Sequence, residues 1–332
     1  MKTERKRQHK KRKKICISVC CMLLVLVVAL PIGLYFLGEH QLEQNVYQDT
    51  SKTSTLQDQI YYKKHIWERK PGVYTLMMLG VDIRRSDIEE GKNPIGQADA
   101  IMLAVMDTKE KKIHIISFPR DIMAENPFTD IDTRKEVQTT LLYAYAGGGT
   151  DGCAAVEQAV SETCYGLPVH GYAEMTLLAI PELNDAVGGV PVTIHEDLTA
   201  LNPAFVEGQT IWLQGDLATE YLHCRDIYTA QSSLGRTGRH KEYVANYLTA
   251  FKSAWKKQPL LPLRLRHIIK KYGNSNLTLA EMWYLGWNFH SITANDVTLQ
   301  TLDVNVAKEG SYEEYYVDAV KAQQMLVNIL YE

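Results

Sequence analysis

"DAIMLAVMDTKEKKIHIISFPRD", Asp99 to Asp121, holds two apolar runs separated by the charged turn "TKEKK". Each run has the length and apolar continuity of a buried strand, so the stretch predicts two neighbouring antiparallel strands. Pro119 ends the second strand, because proline cannot donate to a ladder, and Arg120 and Asp121 follow at once. A charged pair at a strand exit is ordinarily a solvated ion pair of little energetic weight. The alternative is the rim of a site, which requires further polar clusters at neighbouring strand ends.

Working outward, "VYTLMMLGV" (Val73–Val81) is another buried strand, and "VHGYAEM", "VPVTI" and "DVTLQTLDV" read as strands further along. Helices are expected in "TDGCAAVEQAVSETCYG", with Thr150 or Asp151 as N-cap, and in "TLLAIPELNDAVGG" and "QGDLATEYLHCRD". "GRHKEYVANYLTAFKSAW", "TLAEMWYLGWNFHSI" and "YYVDAVKAQQMLVNIL" complete the helical set. Strands and helices interleave, so the body is expected to be α/β, a mixed central sheet flanked by helices in α-β-α layers.

The N-terminus is of a different character. Residues 1–14 carry nine Lys or Arg against one Glu, a net of +8; with the whole chain at −3, the remainder is −11 (−3 less +8). An acidic body excludes bulk attraction to nucleic acid. Residues 15–37 contain no charged side chain, and 23 residues of helix reach roughly 35 Å, enough to span a bilayer. The basic flank predicts a cytoplasmic N-terminus and a signal anchor, with the C-terminal bulk extracellular. Residues 38–70 are polar and read as an extracellular stalk, leaving 71–332 as the folded body. The cysteines Cys153 and Cys164, if on one helix, stand about 16 Å apart, too far for a disulfide.

Three clusters of polar residues end or interrupt buried elements. In "GVDIRRSD", Asp82 and Arg84 follow a strand directly, and strand pairing would bring Asp99 near Asp82; two carboxylates suit Mg²⁺, which keeps water or phosphate oxygens as its other ligands. Arg120-Asp121 is the second cluster. The third, "HCRDIYTAQSSLGRTGRHK", supplies Arg225, Arg236, Arg239, His240 and Lys241. Arg236 and Arg239 fall at the expected start of a long helix, where a cation opposes the dipole unless an anion intervenes. "AGGGTDG" lacks the Lys-Ser/Thr of a phosphate-binding P-loop and reads as a packing turn.

Taken in order, "GVDIR", "QADAIML", "SFPRD", "AYAGGG", "DAVGGV" and "LGRTGRH" resemble the signature segments of the LytR-CpsA-Psr family of membrane-anchored cell-wall enzymes. The resemblance implies transfer of a polyprenyl-pyrophosphate-linked glycopolymer, of teichoic acid or capsule type, with one phosphate, onto a peptidoglycan sugar hydroxyl. It implies Asp82 and Asp99 as Mg²⁺ ligands, and Arg120, Arg225 and Arg236 as pyrophosphate clamps. Arg84, Arg239 and His240 would stand nearby, with the membrane lipid tail in an apolar channel. The chain departs from the family pattern at Leu142, His223, Ser233 and His240. Two other readings use the same residues: a membrane-anchored polyprenyl-phosphate binding or regulatory protein, and a polyprenyl-pyrophosphate phosphatase.

Overall fold

The two strands in Asp99–Asp121 are neighbouring interior strands of the sheet. A computed structural model describes residues 29–45, 59–83, 95–223, 232–309 and 312–332. Helix α1 (29–45) leads to a hairpin, β1 (Gln59–Tyr62) and β2 (His65–Glu68), and then to β3 (Val73–Val81), β4 (Ala98–Asp107) and β5 (Lys112–Phe118). A small pair, β6 (Met123–Glu125) and β7 (Glu136–Gln138), precedes α2 (Thr139–Tyr145), α3 (Gly149–Thr163) and β8 (Gly171–Thr176). Next come α4 (Ala179–Ala186), β9 (Val190–Thr193), β10 (Thr210–Leu213), α5 (Asp216–His223), α6 (Ser232–Lys257) and α7 (Leu261–Tyr272). The chain closes with β11 (Gly273–Ser275), α8 (Leu279–Phe289), β12 (Val297–Thr301), β13 (Val304–Glu309), β14 (Tyr312–Val317) and α9 (Ala319–Leu330).

The central sheet has the order β11-β8-β3-β4-β5-β12. The strands β3, β4 and β5 pair antiparallel in sequence, as their short connections require, while β8 and β12 join in parallel through helical crossovers. Alternation along β3 separates two cores. Met77, Leu79 and Val81 face α2, α3 and α9, whereas Tyr74, Leu76 and Met78 face α1, α8 and Val244 of α6. The expected α-β-α layering is therefore present. A third core joins β9, β10 and α4–α7.

Several boundaries differ from the sequence reading. In the segment read as a stalk, Leu42 of α1 is fully buried against the body, and Gly38 lies on α8. The Glu68 and Glu332 backbones exchange hydrogen bonds of 2.8 and 2.9 Å, which ties the β1–β2 hairpin to the C-terminus. Residues 46–58 lie outside the described residues. Single buried side chains on an otherwise polar helix carry too little periodic signal to be read as core. The N-cap of α3 is Gly148 rather than Thr150 or Asp151, with no side-chain cap. Among the described residues no helix is long and apolar enough to cross a membrane, and most of the stretch 15–37 lies outside them.

Candidate functional site

The strand pair β3–β4 ends in an irregularity that builds the site. Gly80 pairs with Ala100 and Val81 with Ala98, so Asp99 is an extra residue on β4, a β-bulge. Bulges re-aim side chains, and this one releases Asp99 from the alternation that would bury it. The Asp99 N–H turns back onto the Gln97 carbonyl at 3.0 Å, and the Asp82 N–H donates to the same carbonyl at 3.1 Å. Asp82 and Asp99 are thus held at the ends of adjacent strands, as the sequence pairing predicts.

Arg120 comes to the same place from β5. Its Nη1 donates to Asp99 Oδ1 at 2.8 Å, and its Nε lies 3.7 Å from Asp121 Oδ2. Gln138 Nε2 donates to Asp121 Oδ1 at 3.3 Å. The turn after Pro119 is pinned on both sides: the Thr140 N–H donates to the Arg120 carbonyl and the Tyr315 N–H to the Asp121 carbonyl, each at 3.1 Å. Partial burial works against the Arg120 charge, but Asp99 and then Asp121 outweigh it and hold its pKa above the ordinary arginine value. The Arg120 side chain is 47% exposed and that of Asp99 34%, so the pair contributes about 0–1 kcal/mol. An incoming anion can displace it at little cost.

Gly80 faces Ala100, and a Cβ on Gly80 would stand 3.0 Å from that methyl group. Glycine within a strand suits close approach by a ligand. Along the same face, Leu76, Met78 and Met102 are half-buried and form an apolar stripe, with Met78 opposite Met102. Towards its C-terminal end, β3 carries this face directly to Asp82. The "AGGG" turn is close by: a Cβ on Gly148 would lie 2.8 Å from Ile95.

Two threonines near these strand ends were not singled out in the sequence. Thr176, at the end of β8, is in register with Val81, and Thr140 heads α2 beside Arg120. Both hydroxyls are buried and have no hydrogen-bond partner among the described residues. A polar residue closing an apolar strand is the signal that marks Asp82, and "YAEMT" carries it too.

The third cluster is placed differently from expectation. Helix α6 begins at Ser232, ahead of Gly235 and Gly238, so Arg239 lies two turns inside it rather than at its N-terminus. The two glycines, each unfavourable in a helix by about 1 kcal/mol, made this first segment read as a loop. Arg239 is buried, pairs with Glu196 and stands 6.0 Å from the Tyr221 ring. His240 Nε2 is 2.9 Å from the Leu222 carbonyl, next to the exposed His223. Leu142 is packed in the main core. Arg84 and Arg225 lie outside the described residues, as do the side chains of Arg236, Ser233 and Lys241.

Fold and site together define a three-layer α/β protein whose central strands end in two aspartates, Asp82 and Asp99, with Arg120 beside them. The LytR_cpsA_psr family model matches residues 38–329. The chain belongs to the LytR-CpsA-Psr family. Among curated proteins it is 26% identical over 305 residues to the polyisoprenyl-teichoic acid–peptidoglycan teichoic acid transferase TagU of Bacillus mycoides, covering 87% of this chain and 91% of that one. To the same-named transferase of Oceanobacillus iheyensis it is 29% identical, covering 79% and 78%. Among solved structures, TagT bound to LI-WTA superposes with a TM-score of 0.59 at 20% identity, covering 83% of this chain and 98% of that one. Bacillus subtilis TagV gives 0.59 at 16% identity, covering 79% and 98%. These likenesses agree with the fold.

Proposed function

We propose that the protein transfers a polyprenyl-pyrophosphate-linked glycopolymer, with one phosphate, onto a peptidoglycan sugar hydroxyl. The observation that carries this reading is the bulged Asp99 beside Asp82 with Arg120 at 2.8 Å, at the end of a half-buried apolar stripe. A pyrophosphate with an apolar tail has that shape and charge order: oxygens for the arginine, and an isoprenoid chain for Leu76, Met78 and Met102.

The residues fit the family's Mg²⁺. No cluster of three or more His, Cys, Asp or Glu that would cage a metal occurs among the described residues, but two carboxylates open to substrate oxygens suit an ion that keeps outside ligands. Asp82 and Asp99 would hold it, and when bound it supplies neutralisation of charge on the pyrophosphate. Arg120 releases Asp99 and takes phosphate oxygens, while Asp121, steadied by Gln138, keeps the guanidinium oriented. The acceptor hydroxyl oxygen then bonds to the phosphorus that carries the glycan. The bond from that phosphorus to the bridging oxygen breaks, polyprenyl phosphate leaves with the electron pair, and the hydroxyl proton passes to solvent. Positioning and charge stabilisation suffice for such chemistry. Arg84, Arg225 and Arg236 are proposed as further clamps, with Arg239 and His240 supporting them from α6. Residues 15–37 are proposed to anchor the chain in the membrane, N-terminus inside.

Mass spectrometry of lipid co-purifying with the full chain, repeated after adding peptidoglycan, tests the reading. A polyprenyl pyrophosphate glycan that is consumed with label appearing on peptidoglycan is expected. Retention of intact lipid over many acceptor equivalents leaves a binding or regulatory protein, and release of free polymer with polyprenyl phosphate leaves a phosphatase.

A further inference from the structure

Helix α1 is unbroken from 29 to 45 but changes character at Gly38. Before it, Leu30, Ile32, Phe36 and Leu37 are exposed and apolar. After it, the helix is docked: Gln41 Oε1 accepts from Thr278 Oγ1 at 2.7 Å, Asn45 Nδ2 donates to Glu281 Oε1 at 2.9 Å, and Leu42 is fully buried. Gly38 sits so close to α8 that a Cβ would overlap the Ala280 carbonyl oxygen. The contacts run antiparallel. Gln41 meets Thr278 at the start of α8, Gly38 meets Ala280, and the Tyr35 ring lies 4.9 Å from Tyr284. The apolar half of α1 therefore leaves the domain beside the C-terminal half of α8.

That half of α8 has an unusual outer face. One side of the helix is buried through Ala280, Glu281, Tyr284, Leu285, Asn288 and Phe289. The opposite side carries Leu279, Trp283 and Trp287 at i, i+4 and i+8, followed by His290. The two indoles stack with centroids 6.3 Å apart, and Trp287 is 54% exposed. Lys252 donates to the Ser291 carbonyl at 3.1 Å just past the stripe, and Lys111, in the β4–β5 turn, reaches Asn288 Oδ1 on the buried side at 2.7 Å. Tryptophan with flanking cations is the composition of the membrane–water interface.

We propose that the outer face of α8, Leu279, Trp283, Trp287 and His290, rests in the headgroup region of the bilayer from which α1 emerges. The proposal depends on the reading that residues 15–37 anchor the chain. The domain is then seated through a fixed helix–helix contact rather than hung from a flexible tether. Lys111 lies in the β4–β5 turn, at the opposite end of the sheet from Asp99, so the carboxylates point away from the membrane. From Tyr74, which touches Tyr284, to Asp82 is roughly 26 Å of strand. A lipid-linked substrate must cover that distance to reach the carboxylates.

The test uses the full chain in phosphatidylcholine–phosphatidylglycerol vesicles, with part of the phosphatidylcholine brominated near the glycerol end of its acyl chains. Bromine quenches nearby indoles. Wild type and Trp212→Phe, altered on distant β10, are expected to be quenched alike, and Trp283→Phe/Trp287→Phe to lose most of the quench. Gly38→Ile, which forces α1 off α8, is expected to float with vesicles and lose quenching as well. Flotation with no quenching of the wild-type chain, or quenching unchanged by the double substitution, overturns the seating alone. A chain that fails to float overturns the anchor and the seating together. An emission shift on adding soluble peptidoglycan disaccharide, with no quench in vesicles, assigns the tryptophan stripe to sugar stacking and overturns the membrane assignment.

Discussion

Arg120 Nη1 lies 2.8 Å from Asp99 Oδ1, joining a residue just past the end of β5 to the bulged residue of β4. Neither partner is deeply buried, so the contact adds little to stability. In the proposed reaction it holds ready a guanidinium and a carboxylate at one place, able to part when a doubly charged group arrives.

Substituting Arg120 with Ala is expected to lower transfer by about 10²-fold or more, the range for deleting one donor to a developing charge. Arg120→Lys should remain impaired, because an ammonium cannot reproduce the planar fork. Transfer of labelled lipid-linked polymer to peptidoglycan measures both. Wild-type rates in Arg120→Ala remove this residue from the clamp.

Chelation of divalent ions is expected to abolish transfer, with recovery on adding Mg²⁺. Asp82→Asn and Asp99→Asn should each raise the Mg²⁺ concentration needed for half-maximal rate. Full activity in excess chelator excludes both carboxylates from a metal role.

Thr176→Val keeps the shape of a side chain whose hydroxyl is buried without a described partner. If substrate supplies that partner, kcat/KM falls about 10-fold or more, since a hydrogen bond to a charged group is worth about 1.5–3 kcal/mol. Stability to urea should hold or rise, because an unsatisfied buried hydroxyl is removed. Unchanged kinetics would make Thr176 a packing residue.

His170 is buried, its Nδ1 accepting the Thr75 N–H at 3.0 Å, and burial holds its pKa down from 6.5 to about 3. The folded state keeps the ring neutral while the unfolded chain protonates it below pH 6.5. Its stabilising contribution is therefore complete above pH 6.5 and is lost as pH falls towards 3, at up to about 1.4 kcal/mol per unit. Urea unfolding across that window should show a shallower pH dependence for His170→Asn than for wild type. Parallel curves would mean that the imidazole is not titrating as assigned.

Much of this architecture was readable from pattern alone. Val73–Val81 and Lys112–Phe118 have the expected bounds, because continuous apolar runs closed by a polar residue or a proline leave few alternatives. The helix read from Thr278 onward likewise starts in place, α8 opening at Leu279, and the structure adds a capping box of Thr278 and Glu281. What escaped was determined by the third dimension. Leu42 looks like one apolar residue in a polar segment, and its burial depends on α8, which lies more than 200 residues away. Helix α6 starts at Ser232, earlier than its glycines suggest, and Arg239, two turns inside it, packs against Tyr221 and pairs with Glu196, contacts that no local pattern announces. Within the site, the adjacency of Asp82 and Asp99 followed from strand pairing, but the bulge that frees Asp99 did not, since register is a property of two strands at once.

That bulge makes the site unusually sensitive to chain length. Removing Gln97 would restore regular pairing, with Asp99 opposite Val81, and would exchange the faces of Ala98 and Asp99. An aspartate would be carried towards the hydrocarbon core and an alanine into the mouth of the site. Between these strands, chemistry is encoded as spacing. Point substitutions can tune the carboxylates there, whereas a single-codon deletion would displace Asp99 while leaving almost every residue of the protein in its sequence.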